Sequence, residues 1–319
     1  MKNLSKEIMW VFSLENPMSL PSYIVSGIMP ADYHKIQKII FLKHHDPKKF
    51  LLEKKPKVLI ISKVFHSGIV DLVLEAKKLN IKIISIFDDW HFDKTLKNSS
   101  QYNFTIAKNS NAIVAKTKKA VQIIYNNTKI KGIIIPDCLR YKMLESKDLF
   151  CNPHKVCWFG THNNHPSLFK GINEMSKTSS PILLKIITNR IEHLKNSLLK
   201  INNKITLEFI EWSLTMHEDI IDSEIIIIPL IDNKNSLVKS SNRIVDSLNM
   251  GKFVIINENK QFEEFRKFCY FGDLKEGLDW VYRNKKDAKL KVIEGQKYVN
   301  KNYSLEAISK KWKSLITKL

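Results

Sequence analysis

The sequence predicts an α/β protein made of two doubly wound parallel-sheet domains facing a central cleft. Three observations predict it. Apolar runs of strand length alternate with helical stretches along the whole chain of 319 residues. Most of those runs are apolar on both faces, the mark of strands covered by helices on either side. The runs divide into five and five about a polar stretch near residue 150, and the length suits about two domains.

In the first half the predicted strands are Met9–Leu14, Val58–Ser62, Ile81–Phe87, Ala112–Ala115 and Ile133–Ile135. In the second half they are Val156–Phe159, Leu183–Ile187, Ile205–Ile210, Ile225–Leu230 and Phe253–Ile256. Crossover helices are predicted at Ser67–Leu79, Thr117–Asn126, Pro166–Lys177, Arg190–Leu199 and Asn242–Met250. The domain boundary is expected within Tyr141–Pro153, a charged stretch ending in Asn-Pro. This gives domains at 1–149 and 150–302, and a final helix at 303–319. Basic helices close the chain, and Ile308, Trp312 and Ile316 form one apolar stripe at a spacing of four. There is no repeat of 20–50 residues and no low-complexity tract.

Composition narrows the class. Hydrophobic residues make up 44%, charged residues 26%, with 9 Gly and 10 Pro. These values exclude long disorder and collagen-like or mucin-like chains. No apolar run reaches the ~18 residues that span a bilayer. Met1–Glu7 lacks the apolar core of a signal peptide, so a cytoplasmic protein is expected. Lys and Arg number 52 against 32 Asp and Glu, a formal charge of +20. Such a surplus suits nucleic acid, an anionic membrane or phosphorylated substrates, and coding bias accounts for it equally well. Five of the 52 are Arg. Readers of base edges favour the guanidinium fork, so nucleic acid is the weaker partner. Cys151-Asn-Pro-His154-Lys-Val-Cys157 lacks a fourth ligand at zinc spacing. The sequence therefore predicts no metal and reduced, unpaired thiols.

Open parallel sheets bind ligands outside the carboxyl ends of their strands, so the residues following each strand carry the functional reading. After Met9–Leu14 a long loop runs to Gly27 and opens a helix at Pro30 or Ala31. It is either an ordinary βα loop or the lining of the cleft. After Ile81–Phe87 stand Asp88, Asp89, Trp90, His91, Phe92 and Asp93. Crowded carboxylates suit general-base or cation chemistry, and Asp equally suits helix capping. After Val156–Phe159 come Gly160, Thr161, His162, Asn163 and Asn164. They open a helix whose N-terminus favours a phosphate, or simply cap it. Thr188-Asn189-Arg190 precedes another helix. Trp212 either walls a base pocket or belongs to the core.

Ile225–Ile256 reads as strand, polar loop, helix, Gly stop, strand. Lys239, Ser240, Ser241, Asn242 and Arg243 crowd a helix N-terminus that already attracts anions. Cations there oppose the helix dipole unless an anion is present, and such a local conflict marks a site. Asp246 is placed to pair with Arg243 or to accept a ribose hydroxyl.

At these residues the chain resembles the glycosyltransferases of the GT-B fold, whose two domains are Rossmann-like, and especially the family 4-like group. That group's second domain runs D-hhhhP, a polar loop, K-S-x-N/x-K/R-hhE, then A-x-x-G-x-P-V-I. Ser223-Glu224-Ile225 to Pro229 matches the first part. Lys239-Ser-Ser-Asn-Arg-Ile-Val-Asp246 and Gly251-Lys-Phe-Val-Ile match the rest. Val156-Cys-Trp-Phe-Gly160 looks like the strand and glycine that open this domain, and Ile86-Phe-Asp88-Asp89-Trp90 like the first domain's cleft motif. The ordered motifs span roughly residues 57–300.

The resemblance implies transfer of a sugar from a UDP- or GDP-linked donor to a glycan or lipid-linked glycan, without metal or other cofactor. Gly160, Thr161, Asn163, Arg190 and Trp212 would help hold the donor. Lys239, Ser240, Ser241, Asn242 and Arg243 would sit near its diphosphate, with Asp246 near its ribose. Gly27 and His91 would lie on the acceptor side. The final helix would return to the first domain, and the basic surface would meet the inner face of an anionic membrane. The chain departs from the family pattern at three places. Val238 stands where the family's E-x7-E pair has its first acid, Asp246 replaces the second, and Asp88 replaces the cleft His. Those groups accompany retaining members. The departures count against retention and leave open an inverting mechanism with Asp88 or Asp89 as base, or an inactive protein of the same shape. DNA as the acceptor is the alternative that the charge suggests.

Overall fold

The computed structural model describes residues 7–63, 65–88, 92, 97–144, 154–178, 180–198, 204–233 and 236–319. The chain divides into two compact units. The first holds Met1–Arg140, Leu237–Ser240 and Asn302–Leu319; the second holds Tyr141–Ser236 and Ser241–Lys301.

The first unit contains a parallel sheet of β1 (Ile8–Phe12), β2 (Gln37–Ile40), β3 (Val58–Ile61), β4 (Lys82–Phe87), β5 (Ala112–Ala115) and β6 (Gly132–Ile134). Their order is β2-β1-β3-β4-β5-β6. The period of two sorts their side chains into two cores. Ile8, Trp10, Phe12, Ile60, Ile84 and Val114 face one way, against Tyr23–Ala31 and the helix Leu305–Ile316. Met9, Val11, Leu59, Ile61, Ile83 and Ile113 face the other, against the helices Ser67–Lys78, Lys97–Asn109 and Lys118–Thr128. Trp312 meets Trp10 edge to face, with ring centroids 4.8 Å apart.

The second unit contains β7 (His154–Phe159), β8 (Ile182–Thr188), β9 (Ile205–Glu211), β10 (Ile225–Ile228), β11 (Phe253–Ile256) and β12 (Tyr270–Phe271). They are parallel in the order β12-β11-β10-β7-β8-β9. Val156, Trp158, Leu184, Ile186, Ile225, Ile227, Phe253 and Ile255 build one core, with Leu168, Leu274, Leu278 and Val292 from helices. Two lysines lie buried in this unit. Lys185 donates to the Asp219 carbonyl at 2.8 Å and to Asp222 at 2.7 Å. Lys252 donates to the Ile221 and Ser223 carbonyls at 2.7 and 2.8 Å. Together they hold the turn that feeds β10. Burial pushes the nearby Cys157 thiol up to about 12, despite Lys185 and Lys252, so it remains protonated.

Among the described residues twelve strands stand where ten were predicted. β2 was missed because three of its four residues are exposed at the sheet edge, so it carries no apolar run. β12 has only two residues. The helix expected to open at Pro30 or Ala31 begins at Pro21. It widens into a π-helical turn over Ile24–Ile28, where Met29 N–H donates to the Ile24 carbonyl, and continues as Met29–Tyr33. Pro30 has no N–H for the α-helical ladder, and the widened turn lies where that ladder is broken. Gly251 does end its helix, at a left-handed φ of 71°. The expected boundary at 149/150 and Cys151 lie outside the described residues.

Trp312→Ala should destabilise the fold by about 3–5 kcal/mol, because a fully buried Trp leaves a large cavity. Chemical denaturation would measure it. Burial is the first cause that lowers the pKa of His66, His154 and His165 below 6.5. The unfolded chain therefore binds more protons just below pH ~6.5. Stability from these three groups is full above that value and is lost as pH falls through it. A thermal midpoint that stays flat from pH ~6.5 down to about 5 would contradict this.

Candidate functional site

Both sheets reverse their strand order once, between β1 and β3 and between β7 and β10. The carboxyl ends of those strand pairs are where a doubly wound sheet offers a crevice.

In the first unit this edge carries a buried polar knot. Asp88 directly follows β4, and its Oδ2 lies 2.7 Å from Lys63 Nζ, with the two side chains 6% and 11% exposed. Lys63 follows β3. Its carbonyl accepts a bond from the Tyr23 hydroxyl and lies 3.4 Å from Ser13 Oγ; the two hydroxyl oxygens are 3.0 Å apart. Burial raises the Tyr23 pKa, opposed by the bond to Ser13 and the charge of Lys63. A described partner of Asp88 is thus a cation. A second pair, Lys116–Asp137, joins the loops after β5 and β6 at 2.7 Å with side chains 1% and 3% exposed. Asp89 and His91 lie outside the described residues. Gly27 sits within the π-helical turn. A Cβ there would come within 2.9 Å of Phe12 and 3.0 Å of Trp10, so only glycine lets the helix lie this close to β1.

In the second unit the loops after β7, β8 and β9 are tied into a polar shelf. Gly160 ends β7, with the Trp158 ring 3.1 Å from where a Cβ would be. Thr161 caps a single turn, His162–Asn164, that runs into the helix His165–Met175. His162 N–H donates to Asn189 Oδ1 at 2.8 Å, and Asn164 Nδ2 donates to Thr161 Oγ1 at 3.2 Å. His165 Nε2 is 2.9 Å from Thr188 Oγ1, and Trp212 N–H donates to the Thr188 carbonyl at 3.0 Å. Trp212 is only partly buried at the end of β9, outside the core cluster. Thr161, Asn163 and Arg190 are exposed, and Arg190 adopts a left-handed φ of 60°. Such a conformation in a non-glycine residue holds the loop in one shape.

The β10 edge is set by residues the sequence reading passed over. Asn257 Oδ1 accepts from Leu230 N–H at 2.9 Å, and Lys170 Nζ donates to the Leu230 carbonyl at 3.1 Å. Glu174 Oε2 accepts from Asn257 Nδ2 and from Leu274 N–H, each at 3.1 Å. Asn257 follows β11, which is the same position rule that selected the other candidates.

The helix Asn242–Asn249 starts beyond that edge. Ser241 is its N-cap but makes no side-chain capping bond, and the first turn holds no acid. Arg243 stands in that turn. Its Nη1 is shut off from solvent and has no hydrogen-bond partner. No carboxylate among the described residues pairs with its guanidinium, so the expected bond to Asp246 is absent. Burial alone pulls its pKa down to about 10, so it stays charged at neutral pH. A cation and a positive dipole end therefore stand together without a counter-ion, an arrangement that an anion would complete. Asn242 and Asp246 lie on the same helix. Lys239 and Ser240 precede it in the segment Leu237–Ser240, which packs with the first unit. Val238, at the position where the family pattern has an acid, is 2% exposed in a core of the first unit beside Met9, Val11 and Phe41. A carboxylate there would be desolvated, so Val fits the site and Glu would not.

No protein-family model matches the chain, and no curated protein matches it in sequence. In structure it is similar to HepE of Anabaena in complex with UDP-glucose, at 8% identity and a TM-score of 0.70, covering 98% of this chain and 99% of that one. It is similar to a TarM variant of S. aureus in complex with fondaparinux, α-GlcNAc-glycerol and UDP, at 13% identity and a TM-score of 0.62, covering 84% and 58%. It is also similar to the DNA-modifying enzyme β-glucosyltransferase, studied with and without uridine diphosphoglucose, at 13% identity and a TM-score of 0.61, covering 98% of each chain. The fold is therefore the GT-B fold of glycosyltransferases.

Removing an uncompensated buried charge should not weaken the empty protein. Arg243→Met is expected to leave its thermal midpoint unchanged or to raise it by about 2–4 °C, the effect of ~1 kcal/mol. A fall of several degrees would show that the guanidinium has a structural partner.

Proposed function

We propose that the chain is a glycosyltransferase that moves a sugar from a UDP-linked donor to a glycan or lipid-linked glycan. The observation that carries this reading is Arg243, charged and without a counter-ion in the first turn of an uncapped helix, within a fold shared with UDP-sugar-binding proteins. Arg243, the N–H groups at that helix's start, Lys239 and the Ser240 and Ser241 hydroxyls would receive the diphosphate. Asn242 would assist and Asp246 would meet the ribose. The shelf of Gly160, Thr161, Asn163, Arg190 and Trp212 would hold the rest of the nucleotide.

The chemistry fits such a site. Negative charge builds on the leaving diphosphate, and fixed cations and a helix N-terminus stabilise it without a metal. The acceptor hydroxyl attacks the anomeric carbon and gives its proton to a carboxylate, for which Asp88 or Asp89 is proposed. The anomeric C–O bond breaks, and its electron pair leaves with UDP.

No helix among the described residues is long and apolar enough to cross a membrane. The +20 charge suits a cytoplasmic protein held at an anionic membrane face, where a lipid-linked acceptor would be found. A second reading has DNA as the acceptor; the charge and the likeness to the DNA-modifying β-glucosyltransferase favour it. Duplex binding that weakens steeply with salt would support that reading.

UDP at a hundred times its Kd should stabilise the protein by about 2.7 kcal/mol. Arg243→Ala should weaken UDP binding roughly 10- to 100-fold, the loss of one or two charge-assisted hydrogen bonds. Thermal shift and calorimetry would measure both. No shift with any nucleoside diphosphate would count against the whole reading.

A further inference from the structure

We infer that Lys63 is a positioning residue that aims Asp88 and keeps it ready to accept a proton, an inference that rests on reading Asp88 as the base. The sequence did not single out Lys63, because the loop after β3 offers no cluster of polar residues. The geometry does single it out. Its ammonium is 2.7 Å from Asp88 Oδ2, and neither side chain is more than 11% exposed. Its backbone is fixed independently, since the Tyr23 hydroxyl donates to its carbonyl and Ser13 Oγ lies 3.4 Å from it. Lys63 thus ties together the ends of β1, β3 and β4 and the helical turn Pro21–Tyr23: its ammonium meets Asp88, and its carbonyl meets Ser13 and Tyr23.

A lysine meant to grip an anionic substrate would not be neutralised at contact distance by its own protein. A buried ion pair is also a poor device for stability, because desolvating both charges offsets most of their attraction. What the pair does supply is direction and ionisation. The ammonium favours the charged form of the carboxylate, so Asp88 enters the reaction deprotonated. Tyr23, a titratable group in electrostatic reach of the pair, remains protonated under burial. In the transfer step the acceptor oxygen forms its bond to the anomeric carbon. Its proton passes to Asp88, and the bond to the diphosphate breaks with its electron pair on UDP. Lys63 touches none of these atoms and acts through Asp88.

The test uses the full chain with UDP-glucose as donor and water as acceptor, following UDP release across the acid and neutral range. Lys63→Met removes the cation. It should move the acid limb of kcat/KM up by about 1 pH unit or more, since a desolvated carboxylate that loses an adjacent cation holds its proton longer. Lys63→Arg should bring the limb back toward wild type. UDP binding should be the same in all three, which separates a local effect from misfolding. Where water turns over too slowly, carbon-13 NMR of the Asp88 carboxyl should show the same upward displacement in Lys63→Met. An unchanged limb, or an unchanged carboxyl titration, overturns the positioning role. Asp88→Asn with wild-type turnover would instead overturn the reading of Asp88 as base.

Discussion

Burial of both faces of each sheet is the constraint from which the rest of the structure follows. A parallel strand covered by helices on either side has no solvent face, so its side chains must be apolar along nearly their whole length. Polar chemistry is then pushed to the strand ends. In the first unit Trp10, Ile60, Ile84 and Val114 are all buried, and the titratable residues Lys63 and Asp88 stand just past the carboxyl ends of β3 and β4. In the second unit β10 and β11 are buried throughout, the buried Lys185 of β8 is anchored to Asp222 and a carbonyl, and the edge strand β9 is the part left half-exposed. The loops after β7, β8 and β9 carry the hydrogen-bonded shelf of Thr161, His162, Asn189 and Thr188.

The two edges solve opposite electrostatic problems. In the first unit two largely enclosed lysines each meet an aspartate, Lys63 with Asp88 and Lys116 with Asp137. The charges cancel locally and their geometry is fixed. In the second unit Arg243 is left without an acceptor at a helix end whose dipole has the same sign. A protein keeps such a conflict when a ligand resolves it. The paired edge suits a group that must be aimed at a neutral hydroxyl. The unpaired edge suits one that must receive a dianion.

Much of this was legible in the sequence. Two-sided apolar runs gave ten of the twelve strands, and the helix Asn242–Asn249 was placed correctly by its polar loop and by Gly251. The losses share a cause: edge strand β2 is mostly exposed and the π-helical turn breaks the α-helical period, so neither leaves a pattern of the expected kind. Within the candidate site, reading single positions singled out Arg243 and Asp88 but could not show their surroundings. Nothing at Asp88 announces that its partner is Lys63, twenty-five residues earlier on a neighbouring strand. Asn257 and Glu174 likewise matter only through hydrogen bonds that the fold creates. The absence of an acid at Val238, which in sequence reads as a lost catalytic group, has a packing reason in the structure: that position is core.

The central claim is that Arg243 is kept unpaired for a diphosphate. Five arginines give few side-chain signals, so nitrogen-15 NMR of the arginine Nε–H groups during a UDP titration tests it directly. The account predicts one Nε–H signal that shifts and sharpens as UDP is added, saturates with binding, and is missing from Arg243→Met. A titration that reaches saturation while the Arg243 signal stays in place would contradict it.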